Sequence, residues 1–119
     1  MTETELKKRT KAFALRIIKP VNSLSRDLAS RCLGDQLLRS GTSVAANYRA
    51  VCRAKSRADF INKLSIVEEE ADESALWIEL LSESGLMPAR RLQKLLDEAN
   101  QLTAIMAASR KSARKSDRW

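Results

Sequence analysis

Apolar positions along this chain recur at three- and four-residue spacings in four separate stretches, the period of amphipathic helices. The first stripe is Leu6, Thr10, Phe13, Ile17, Val21 and Leu24. The second is Leu28, Cys32, Leu37, Leu38, Gly41, Val44, Ala45, Tyr48 and Cys52. The third is Phe60, Leu64, Val67, Ala71, Ser74, Ile78 and Leu81, and the fourth is Leu92, Leu95, Ala99, Leu102, Met106 and Ser109. These stripes predict helices near residues 4–25, 28–53, 57–84 and 88–112. The joints between them are short, which makes consecutive helices antiparallel neighbours. The expected fold is therefore all-α, an up-down-up-down antiparallel four-helix bundle in one domain of 119 residues.

Punctuation between the stripes agrees with this division. Pro20 removes a backbone donor and predicts a kink or an early end near Lys19. Ser25 or Asp27 can cap the second helix, and Ser56 with Asp59 resembles a capping box for the third. Gly85 suits the C′ position and Pro88 the first turn of the last helix. The middle of the second helix is unusually small, with Ser40, Gly41, Thr42, Ser43, Ala45 and Ala46. Such a face lets a neighbouring helix approach closely, which offsets the poor helix propensity of Gly34 and Gly41. Asn47 beside it is expected to be a partly buried amide that fixes register.

Two outward faces carry more hydrophobicity than solvent requires. Leu15 and Ile18 stand among Lys8, Lys11 and Lys19. Leu76 and Leu80 stand within an acidic arc of Glu68, Glu69, Asp72, Glu73, Glu79 and Glu83, with Ile61 on its flank. The patches match in hydrophobicity and oppose in charge, so they predict an oligomer interface between unlike surfaces.

Three segments together resemble a known family: Gln-Leu-Leu-Arg-Ser-Gly-Thr-Ser-Val-Ala-Ala-Asn at 36–47, Arg-Ala-Asp-Phe at 57–60, and Glu-Glu-Ala-Asp-Glu-Ser-Ala-Leu-Trp at 69–77. They look like the small four-helix-bundle proteins encoded within intervening sequences of bacterial 23S ribosomal RNA genes. That family includes the accessory variability determinant of diversity-generating retroelements. The resemblance spans residues 13–109. It implies a homo-oligomer, a ring-shaped pentamer as in relatives, with nucleic acid or a reverse transcriptase as a possible partner. Many members carry a glycine soon after the Asn, where this chain has Arg49-Ala50-Val51-Cys52, so a differently shaped turn is expected there.

Composition narrows the chemistry. No histidine is present, which removes His-based acid–base and nucleophile arrangements and the Glu-x-x-His ligands of di-iron bundles. The three glycines are isolated and form no phosphate loop. Carboxylates at 68–73 fan over a wide arc of one helix, better placed to meet basic side chains than a metal. No enzyme activity, cofactor or metal is expected. Cys32 and Cys52, on one helix and roughly 30 Å apart, are beyond disulfide reach. No apolar run is long enough for a membrane span and no signal-peptide pattern opens the chain, so a cytoplasmic protein is expected.

Charge is uneven around a net +7. Residues 58–85 carry one basic and eight acidic side chains, whereas 49–57 carry four basic and none acidic. Two basic groups are candidate nucleic-acid-binding sites: Arg49, Arg53, Lys55 and Arg57 at the second joint, and Arg110, Lys111, Arg114 and Lys115 in a basic C-terminal tail over 110–119. Cations at 110, 114 and 118 would share one face if the helix continued, although a frayed tail is an equal expectation. Aromatic interleaving is limited to Tyr48 and Trp119, so stacking readout of single strands is poorly supported. Two functions remain: an oligomeric nucleic-acid-binding protein acting through charge and shape, and a protein–protein adaptor, for example of a reverse transcriptase.

Overall fold

The computed structural model describes residues 1–115. Four helices follow one another in it: α1 (Glu3–Asn22), α2 (Leu28–Val51), α3 (Arg57–Glu83) and α4 (Ala89–Lys115). Each packs on its sequence neighbours, and α1 also meets α4 over a shorter seam, closing an antiparallel bundle about 50 Å long. The diagonal helices, α1 with α3 and α2 with α4, lie farther apart, with no Cα atoms within 8 Å of each other. No strand occurs among the described residues.

Local chemistry fixes the helix ends. Thr2 Oγ1 accepts from Glu5 N at 3.1 Å, and Glu3 and Glu5 lie at the positive end of α1. α1 ends at Asn22, within a turn of Pro20, and Ser23 N donates to Lys19 O and Pro20 O. Asp27, one of two expected caps, opens α2 by accepting from Ser30 N at 2.9 Å. Ser25 donates to the same carboxylate, and this bond, with those from Ser30, holds Asp27 below the usual carboxylate range. At α3, Ser56 Oγ accepts from Asp59 N while Asp59 Oδ2 accepts from Lys55 N, both at 3.1 Å. The reciprocal bond thus reaches the residue before the cap. Gly85 has φ of +79°, the left-handed turn that ends α3, and Pro88 immediately precedes α4.

Two expectations are corrected in α2 and one is refined in α4. Leu28 is 85% exposed and Cys32 is exposed, although both were expected in the core stripe. At about 100° per residue they lie roughly opposite the buried face, which runs through Ser30, Gly34, Leu37, Gly41, Val44, Tyr48 and Val51. Asn47 does not reach another helix: its amide donates to Ser43 O and Oγ within α2. Residues 49–51 continue α2 as helix, and the turn comes after them. α4 runs on to Lys115 because Ala113 is still buried and Arg57 Nη1 reaches Arg114 O. Of the expected tail, residues 110–115 are thus helical, while Arg118 and Trp119 lie outside the described residues.

The core is mainly aliphatic and closes around Phe13, Ile17, Leu64, Ile78, Leu102 and Met106, all fully buried. Small residues set the α1–α2 distance. A Cβ added at Gly41 would overlap Ile17 Cδ1, and one at Gly34 would come to 3.0 Å from Leu24 Cδ1. Ser40 and Ser74, both buried, hydrogen-bond at 2.8 Å across α2 and α3, which satisfies two polar groups the core could not otherwise tolerate.

Candidate nucleic-acid interface

Antiparallel order carries the ends of α2 and α4 and the starts of α1 and α3 to one pole of the bundle. Both basic groups expected from sequence therefore meet there, joined by the 3.4 Å bond from Arg57 Nη1 to Arg114 O. Arg49, Arg53, Lys55, Lys111, Arg114 and Lys115 are exposed. None of these six forms a side-chain ion pair among the described residues. Arg57 is half-buried against α4.

Arg110 is placed differently. Its guanidinium donates to Glu68 at 3.0 and 3.4 Å, with both side chains mostly covered, so it ties α4 to α3. A comparable fork joins Arg9 to Glu98 at 2.7 and 2.8 Å across the α1–α4 seam and holds the Arg9 pKa up. Arg39 spans Glu70 and Glu73 from α2. The acidic helix thus turns Glu68, Glu70 and Glu73 towards cations of its neighbours. Glu69, Asp72, Glu79 and Glu83 keep no ion pair among the described residues. No cluster of three or more metal-ligating side chains forms among those residues.

Sequence reasoning missed the contribution of α1. An open groove of about 420 Å³ runs between α1 and α2, lined by Lys7, Lys11, Ala45, Ala46, Arg49 and Arg53. Lys7 and Lys11 were readable only as part of a basic helix face, because their meeting with Arg49 and Arg53 depends on tertiary packing. A smaller hollow of about 290 Å³ lies at the opposite pole, where Arg26 and Arg31 are accompanied by Asp35. Tyr48, next to Arg49 in sequence, is only 3% exposed and offers no stacking face, while Phe60 in the first turn of α3 is half-buried. Burial pushes its hydroxyl pKa up, and burial together with Glu3 does the same for the Cys52 thiol.

The four outward apolar residues are where periodicity put them. Leu15 is 59% exposed, Ile18 42%, Leu76 45% and Leu80 39%. They lie on diagonal helices, α1 and α3, each in the half of its helix away from the cationic pole. No helix among the described residues is long and apolar enough to cross a membrane.

Comparison with known proteins agrees with this architecture. The chain superposes on the crystal structure of a protein of unknown function from Bacteroides thetaiotaomicron VPI-5482, assigned to the S23 ribosomal protein family. The TM-score is 0.84 at 32% identity, over 93% of this chain and 99% of the other. No curated protein matches. The model of the 23S rRNA-intervening sequence protein family matches residues 2–108, and the chain belongs to that family.

Proposed function

We propose that this protein is a non-enzymatic, oligomeric nucleic-acid-binding protein that engages RNA or DNA through charge and shape. One observation carries this reading: six exposed cations that form no side-chain ion pair among the described residues, from the second joint and the end of α4, gather at one pole of the bundle. Cations at the C-terminal ends of α2 and α4 also complement the helix dipoles, an effect of about 0.3–1 kcal/mol each within the last turn. That effect does not extend to Arg53 and Lys55, which stand in the joint beyond α2. Phosphate contacts by such residues release counterions, so affinity falls steeply with salt and little with sequence.

The test is titration of unrelated RNA and DNA probes across a salt series. Replacing Arg53, Lys55 and Arg57 together by Ala is expected to weaken all probes about equally and to flatten the salt slope. Unchanged affinity in that variant sinks the reading.

The exposed Leu76 and Leu80 favour a second reading, a protein adaptor of the kind found beside reverse transcriptases in retroelement relatives. Salt-tolerant binding to a purified reverse transcriptase, lost in Leu76→Asp with Leu80→Asp, would support it. Oligomerisation uses the same surface in the first reading, through contact of Leu15 and Ile18 on one copy with Leu76 and Leu80 on the next.

A further inference from the structure

We propose that the α1–α2 groove seats the phosphate backbone of a nucleic-acid duplex, with Lys7 and Lys11 on one wall and Arg49 and Arg53 on the other. This rests on the nucleic-acid reading above and adds where the strand lies and in what form. The lining holds four cations and no carboxylate. Lys7 and Lys11 stand one helical turn or about 6 Å apart on α1, while Arg49 and Arg53 span the end of α2 and the turn that follows it. The lysine interval is comparable to the step between successive phosphates of one strand, so that wall can address two neighbouring phosphates.

The floor is Ala45 and Ala46, small enough for a backbone to descend between the cations. Arginine on one wall supplies planar donor forks suited to phosphate oxygens, and lysine on the other supplies mobile point charges. Lys7 and Lys11 lie beyond the first turn of α1, near its positive end, where a cation gains nothing from the helix dipole. Both are exposed and neither forms an ion pair among the described residues, although Lys7 lies close enough to the Cys52 thiol to act on it electrostatically.

The same lining indicates a duplex over a single strand. Stacking of bases on aromatic side chains contributes about 1–3 kcal/mol per base to single-strand binding. The groove contains no aromatic residue, and nearby Tyr48 is buried. A duplex keeps its bases stacked on one another and presents only backbone to the groove.

The experiment measures anisotropy of a labelled short RNA duplex, the DNA duplex of the same sequence and one single strand, across a salt series. Lys7→Ala with Lys11→Ala is expected to weaken both duplexes on the order of tenfold and lower the salt slope by about two. Lys7→Arg with Lys11→Arg is expected to retain binding. Helical circular dichroism and the unfolding midpoint are expected to be unchanged in both variants. If Lys7→Ala with Lys11→Ala binds like wild type while the Arg53, Lys55 and Arg57 variant is weakened, the groove is overturned and the broader reading stands. Tighter wild-type binding to the single strand overturns the duplex assignment. Failure of wild type to bind any probe removes both.

Discussion

Ile17 of α1 fills the space that Gly41 of α2 leaves by lacking a side chain, and a Cβ at Gly41 would overlap Ile17 Cδ1. Ile17 is fully buried, so its terminal methyl has little room to turn aside. Gly41→Ala improves helix propensity by about 1 kcal/mol, while overpacking costs about 1–3 kcal/mol. The single variant is expected to be less stable than wild type in urea unfolding. Ile17→Val removes the colliding methyl, so the pair is expected to be more stable than the two single losses predict. A coupling of about 1 kcal/mol is the signature of the contact. Strict additivity would show that Ile17 does not set this helix separation.

Arg110 and Glu68 separate a structural cation from its exposed neighbours. Both side chains are mostly covered, and their forked bond joins α4 to α3. Arg110→Ala is expected to lower unfolding stability by about 1 kcal/mol, with an unchanged urea m-value. Nucleic-acid affinity is expected to fall less than in Lys111→Ala, whose side chain is exposed. An equal fall in both variants would return Arg110 to the binding surface.

The sequence made the architecture legible because α1, α3 and α4 each carry an unbroken buried stripe, mostly of apolar residues, at helical spacing. α2 was harder. Leu37, Gly41, Val44 and Tyr48 of the expected stripe are buried, but the line also runs through Ser30, Gly34 and Ser40, which have little hydrophobic signal, while Leu28 and Cys32 stand exposed on the other side. Packing geometry, which hydropathy does not register, selected the face. The basic groups were also legible, but their partners were not. Glu68 meets Arg110, and the Lys7 and Lys11 wall meets Arg49 and Arg53, only after the helices have taken their register. Asn47 is partly buried as expected, but its amide bonds the preceding turn of its own helix, an alternative that spacing alone does not reveal.

The two thiols are expected to differ in reactivity. Cys32 is exposed on α2, whereas Cys52 is partly covered at its end, both uncrosslinked. Burial and the nearby Glu3 carboxylate raise the Cys52 pKa, so its thiolate fraction at a given pH is lower than that of an unperturbed thiol. Maleimide labelling followed by mass spectrometry is expected to modify Cys32 first, with Cys52 accelerating only as pH rises. Faster labelling of Cys52 at neutral pH would contradict this placement.

The proposed assembly would connect the apolar patches to the cationic pole. Leu15 and Ile18 on α1 and Leu76 and Leu80 on α3 are exposed on diagonal helices, so one copy can offer both patches at once. Contact between unlike patches is heterologous, and it closes into a ring when the rotation between copies permits. α1 and α3 run the same way along the bundle, and both patches lie in the half away from the cationic pole. Bundles standing side by side through these contacts would bring their cationic poles to one face of the ring. Glu69, Asp72 and Glu83, without ion pairs among the described residues, would meet Lys8 and Lys19 of the next copy. Desolvation cancels much of the gain from such charge pairs, so the apolar residues are expected to dominate. Leu76→Asp with Leu80→Asp is expected to give a monomer by light scattering with its helical circular dichroism intact. Its nucleic-acid affinity should fall as well, because one pole then replaces several linked ones. A variant that keeps the mass of the wild-type assembly would rule out this interface.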